Sequence, residues 1–255
     1  HAEKVRDFAF ASSRKFAWDA MAVEGAQVNG KPVMAMSLYP KEGMPLWDKY
    51  STHAIAHTIE TYSRYTFAYP YPVAWSVNGP VGGMEYPMAT LLKGAGEGVV
   101  IHEWMHSWYQ MILGTNESLY PWMDEGFTSF AESNVQNFLH ESKDSFPHLG
   151  AYNAYIALSK SDFNEPLTTH SDHYSSNSAY STNAYSKGEV FMEQLGYIVG
   201  APVRDSILLK YFQTWKFKHP HVNDLIRLAE NESGIQPKSG LGVTHKAVWQ
   251  QGHDQ

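Results

Sequence analysis

Residues 99–113 read Val99-Val100-Ile101-His102-Glu103-Trp104-Met105-His106-Ser107-Trp108-Tyr109-Gln110-Met111-Ile112-Leu113, and the fold is decided there. Glycines 94, 96 and 98 lead into the stretch, it is apolar along most of its length, and it stops at Gly114. That pattern predicts a buried helix with a glycine C-cap. On a helix, His102 and His106 stand at i and i+4, on one face and about a turn apart. Both imidazoles can then point at one ion, while Glu103 projects beside them toward an activated water. The H-E-x-x-H geometry suits zinc. The chain has no cysteine, so any metal must be held by histidine and carboxylate.

The residues that follow supply a third ligand. A metzincin extension would need Gly at 109 and His at 112, but Tyr109 and Ile112 stand there, which rejects that class. The alternative is a glutamate on the next helix. Glu125 occupies that place within Trp122-Met123-Asp124-Glu125-Gly126-Phe127, and from 106 to 125 is 19 positions. This is enough for the first helix to finish, turn and return antiparallel. Two histidines and one glutamate form the ligand set of a catalytic zinc, which leaves a fourth position open for water.

Outward from this centre, the first forty residues read as strands over Asp7–Ala11, Phe16–Asp19 and Pro32–Leu38, with a hairpin signal at Asn29-Gly30. Helical spacing of Trp47, Tyr50, Ala54, Ile55, Ile59 and Tyr62 predicts a long helix from Pro45 to about Phe67, ended by Tyr69-Pro70-Tyr71-Pro72. An extended segment from Met84 to Leu92 precedes the glycines. Beyond Pro121 the pattern is helical, over Trp122–Leu139, Ala151–Leu158, Lys187–Val199, Val203–Thr214 and Asn223–Glu232. Strands first and helices after predict an α+β architecture. Residues 1–98 form a β-rich lobe with one long helix, 99–235 a helical lobe, and 236–255 a tail with no clear pattern.

At 255 residues, 43% apolar and 18% charged, the chain can bury its own core, and no apolar run reaches the length of a membrane span. The formal charge is -7, with 19 scattered Lys and Arg against 26 Asp and Glu, which argues against a nucleic-acid partner. The chain opens at His1 without a Met or a recognisable targeting segment, and reads as starting inside a longer protein.

The H-E-x-x-H, the gap to Glu125 in Asp124-Glu125-Gly126-Phe127 and the upstream Gly82-Gly83-Met84-Glu85 together resemble the aminopeptidase N family of gluzincins, which includes leukotriene hydrolase. The resemblance runs from the Pro-rich segment near 70 to about 233. It implies a thermolysin-like, two-lobed zinc peptidase domain that holds one zinc ion per chain and hydrolyses N-terminal peptide bonds. By the same resemblance, Gly82, Gly83, Met84 and Glu85 form a substrate-aligning edge strand, with Glu85 binding the free α-amino group of a peptide. Tyr86 departs from the asparagine usual in the family. The family also places a tyrosine before Lys-Gly to hydrogen-bond the oxyanion, and Tyr185-Ser186-Lys187-Gly188 fits, with Tyr180 as its competitor. Flanking domains, and an exported or periplasmic bacterial setting, belong to the same expectation. A thermolysin-like endopeptidase and a non-catalytic scaffold of the same fold are the alternatives. The scaffold would be signalled by a lost ligand or base, and neither is lost.

Other polar groups read more plainly. His53 and His57 are also four apart, but Ala54 leaves them no general base. His170, Asp172 and His173 lie in a Ser-rich stretch that reads as a solvated loop. Glu132, two turns after Glu125, reads either as an exposed glutamate or as an acceptor for a ligand histidine.

Overall fold

The computed structural model describes residues 2–140 and 145–235, so the tail 236–255 lies outside the described residues. Contacts divide the chain into two compact units, one through Ile112 and one from Leu113. The first unit is built on a five-stranded mixed sheet. Its strands are β1 (Ala17–Val28), β2 (Lys31–Tyr39), β3 (Val73–Asn78), β4 (Gly83–Tyr86) and β5 (Ala89–Leu92), in the order β1-β2-β3-β5-β4. Strands β1 and β2 form the predicted hairpin. Asn29 and Gly30 both take positive φ, 53° and 73°, as a tight two-residue turn between twisted strands requires.

Strand β2 alternates as a half-buried strand should, with Val33, Ala35, Ser37 and Tyr39 all turned inward. The helix α1 (Thr52–Tyr65), entered through a π-helical turn at Trp47–Ser51, covers that face with Ile55, Ile59 and Tyr62. Thr52 Oγ1 donates to Ser37 Oγ at 2.9 Å, and Ser37 Oγ donates to Ser51 Oγ at the same distance. Ser37 is opposite Ser76 on β3, Ser76 opposite Thr90 on β5, and Thr90 opposite Glu85 on β4. A row of small polar side chains therefore crosses the sheet on one face and ends at Glu85.

Two expectations are corrected. Asp7–Ala11 is irregular rather than a strand, and Phe8 and Phe10 are 88% and 85% exposed. Alternating apolar residues permit a strand, but only a ladder partner makes one, and β1 begins later, at Ala17. Met84–Leu92 is not one extended segment either. The chain turns at Pro87-Met88, where Met88 has φ 62°, so that β4 and β5 pair antiparallel.

The first unit ends with α2 (Glu97–His106), and in the second unit the helices are α3 (Pro121–Leu139), α4 (Leu149–Ser159), α5 (Asn177–Ser181), α6 (Gly188–Val199), α7 (Ala201–Trp215) and α8 (Val222–Ser233). Trp122 meets Phe191 edge to face at 4.8 Å, and Phe127 stacks on Tyr211 at 6.0 Å. Helices α3, α6 and α7 thus share one aromatic core, so the architecture is α+β, with the sheet N-terminal and the helices C-terminal. No helix among the described residues is long and apolar enough to cross a membrane.

Candidate active site

Helix α2 (Glu97–His106), continued by a π-helical stretch over Ser107–Ile112, carries the H-E-x-x-H. It packs in the first unit, against α1, β4 and β5. Trp104 and Trp108 anchor it. The Trp104 indole N–H donates to Ser76 Oγ at 3.1 Å, inside the polar row of the sheet, and Trp108 donates to the Phe67 carbonyl at 3.3 Å. Both tryptophans pack on Tyr69, and Tyr62 donates to the Tyr109 hydroxyl at 3.1 Å. With these side chains locked, the opposite face of α2 is fixed in direction.

That face presents His102 and His106, their ring centroids 4.8 Å apart at 77°. Their spacing and the absence of any thiol make this a donor pair suited to zinc. Donor atoms of Glu85, Glu103 and His106 all lie within 4.8 Å of one another, with the Glu85 carboxylate 4.0 Å from His106 Nδ1. The strand period explains this grouping: Gly83 and Glu85 face α2, whereas Met84 points to the other side of the sheet. A Cβ on Gly83 would lie 2.0 Å from Glu103 Oε1, so this glycine leaves the room that the carboxylate occupies. Gly82 stands exposed just before β4.

In the second unit, Glu125 sits in the first turns of α3. Tyr185 lies on a π-helical stretch, Thr182–Lys187, that joins α5 to α6. The residue pattern alone predicts no element over 177–186. A widened π turn carries an extra residue and often marks a functional site. The Tyr185 hydroxyl donates to Glu125 Oε1 at 2.7 Å. Its competitor Tyr180 packs edge-on against Tyr174 at 5.5 Å.

The structure also displays residues that no motif announced. His148 is buried against the Phe130 ring, with Nδ1 2.7 Å from Glu189 and Nε2 3.4 Å from Glu193. Ser133 donates to Glu189, and Arg204 pairs with Glu193 at 2.5 Å. These groups are far apart in sequence, and only the helix packing brings them together. Glu132 accepts from Gln136 one turn on, His53 and His57 are exposed on α1, and His170 accepts from the Asp172 N–H in a short turn.

Lys187, two residues after Tyr185, is buried and donates to Asn164 Oδ1 at 3.1 Å and to the Glu165 carbonyl at 2.7 Å. Burial lowers its pKa from 10.5 to about 8, against the opposing pull of the Glu165 charge. Between those two values the unfolded chain holds a proton that the folded one has released, so stability rises with pH in that window and the penalty is complete below it. Denaturant titrations should show the wild type gaining on Lys187→Met from about pH 8 to 10, and parallel curves would refute the shift.

The fold is shared with solved structures of known class. An M1 zinc metallopeptidase from Deinococcus radiodurans superposes with a TM-score of 0.70 at 19% identity, over 93% of this chain and 52% of that one. Yeast LTA4 hydrolase in complex with bestatin gives 0.69 at 19%, over 84% of this chain and 37% of its own. In sequence, leucine aminopeptidase 2 of Phaeosphaeria nodorum is 29% identical over 154 residues, which is 54% of this chain and 24% of the relative. A leukotriene A-4 hydrolase homolog of Botryotinia fuckeliana is 30% identical over 151 residues, 54% of this chain and 23% of the relative. The Peptidase family M1 domain matches residues 87–242, more than half the chain, and the chain belongs to that family. It spans about a quarter of the length of these curated relatives.

Proposed function

We propose that this chain is the core of a zinc-dependent aminopeptidase, in which His102, His106 and Glu125 hold one zinc ion and Glu103 is the general base. The observation that carries the reading is the convergence of two imidazoles, Glu103 and Glu85 on one face of α2. Membership of family M1 and relatives named leucine aminopeptidase support it. Zinc, when bound, supplies a Lewis acid that lowers the pKa of water toward about 7 and polarises a carbonyl. Glu103 takes the proton of the attacking water and passes it to the leaving amine. Tyr185 donates to the oxyanion, and the backbone of Gly82, Gly83 and Met84 aligns the substrate along β4, the last strand in the sheet order. The relatives are much longer than this chain, and domains flanking it in the full protein belong to the same reading.

Glu85 makes the enzyme an exopeptidase in this reading. Its carboxylate, close to Glu103, builds negative charge at one end of the site, which favours a substrate ammonium and excludes a chain that continues upstream. Glu85→Gln should lose about 1.5–3 kcal/mol of transition-state binding, roughly ten- to a hundredfold in kcat/KM. Kinetics on matched free and N-acetylated peptides test the assignment. Internal cleavage of acetylated peptides as fast as free ones are trimmed would instead establish the endopeptidase.

A further inference from the structure

Gly126 follows Glu125 directly, and Gly188 comes three residues after Tyr185. The two glycines meet where α3 crosses the start of α6. A Cβ on Gly126 would stand 2.6 Å from Gly188 Cα, 2.8 Å from its carbonyl carbon and 3.0 Å from the Ala184 carbonyl oxygen. A Cβ on Gly188 would stand 2.8 Å from Gly126 Cα and 3.3 Å from the Trp122 carbonyl oxygen. Those neighbours are backbone atoms, which have no rotamer to change, so a side chain on either glycine must push the two helical segments apart.

Backbone conformation does not demand glycine here. Gly188 is helical, at φ -63° and ψ -43°, and Gly126 lies inside α3. Alanine is the better helix former at both places, so close approach of the two backbones is what requires glycine. Across the same crossing runs the 2.7 Å hydrogen bond from Tyr185 to Glu125. An ångström of separation would break that bond.

We propose that the Gly126–Gly188 contact is a positioning device: it sets the distance between Tyr185 and Glu125 and acts on metal affinity and turnover through that pair. The inference rests on the zinc-peptidase reading above. The π-helical turn at Thr182–Lys187 aims the phenol, and the glycine contact sets how far it must reach.

The test is Gly188→Ala in the full chain, with Gly126→Ala as a second variant, read by zinc affinity in competition with a chelator and by steady-state kinetics. Folding should be retained, the zinc Kd should rise about tenfold or more, and kcat should fall with KM nearly unchanged. In a Tyr185→Phe background, Gly188→Ala should cost far less in kcat than in the wild type, because the route of its effect is already gone. Wild-type zinc affinity and kcat in both alanine variants would overturn the proposal, as would effects that simply multiply those of Tyr185→Phe. Failure of both variants to fold would also overturn it, since the contact would then be a packing requirement of the helices and not a device acting through the pair. The underlying reading fails separately, if Glu125→Ala binds zinc as tightly as the wild type.

Discussion

Glu103→Gln is expected to keep its zinc and to lose kcat by about a hundred- to ten-thousandfold. The amide has nearly the shape of the carboxylate, so it fits the room that Gly83 leaves beside α2. It cannot accept a proton at neutral pH, however, and the attacking water is left without a base. The proposed ligands should behave differently. His102→Ala, His106→Ala and Glu125→Ala should each lose stoichiometric zinc, and activity with it, because each removes one of three protein donors. Elemental analysis beside steady-state kinetics separates the two classes: metal kept and turnover lost for the base, both lost for the ligands. Full zinc occupancy in His106→Ala would end the ligand assignment, and wild-type turnover in Glu103→Gln would end the role of the base.

What the sequence made legible follows from how local each feature is. The H-E-x-x-H is a property of one helix, so residue spacing alone puts both imidazoles on one face. The Asn29-Gly30 hairpin needs only two residues able to take positive φ. Long-range pairing was harder to read. Strand β3 alternates Val73, Trp75 and Val77 with Ala74, Ser76 and Asn78, but the fully buried positions include the small residues Ala74 and Ser76, so the apolar period does not mark the face that is buried most deeply. The polar row from Ser37 through Ser76 and Thr90 to Glu85 spans four strands and has no one-dimensional signature. Gly126 and Gly188 were visible as parts of D-E-G-F and K-G, but their contact is a fact of helix crossing. In the same way Glu85 was found by its motif, while its approach to His106 needed the register of β4 on β5.

Tyr185→Phe should lower kcat about a hundred- to a thousandfold while KM stays near its wild-type value. The oxyanion exists only in the transition state and the intermediate, so donation to it stabilises neither free enzyme nor bound substrate, and the loss of that contact falls on the chemical step. Phenylalanine keeps the ring, and with it the packing of the π-helical turn. Spacing alone left Tyr180 as a rival, but the Tyr180 ring lies edge-on to Tyr174, whereas the Tyr185 hydroxyl reaches a proposed metal ligand, Glu125. The phenol has a single O–H, given to Glu125 in the free enzyme and turned to the oxyanion only when that forms, so the bond to Glu125 adds a second expected effect in the resting enzyme. A hydrogen bond on a ligating carboxylate holds its orientation, and removing such a partner typically costs about ten- to a hundredfold in metal affinity. Tyr185→Phe should therefore carry zinc when zinc is plentiful but yield it sooner to a chelator. Kinetics measured at saturating zinc isolate the oxyanion contribution, and chelator competition isolates the ligand contribution. Tyr180→Phe should change neither. A large kcat loss in Tyr180→Phe with Tyr185→Phe near wild type would reverse the assignment. Unchanged chelator sensitivity in Tyr185→Phe would mean that the phenol leaves Glu125 once the metal is bound, and serves the transition state alone.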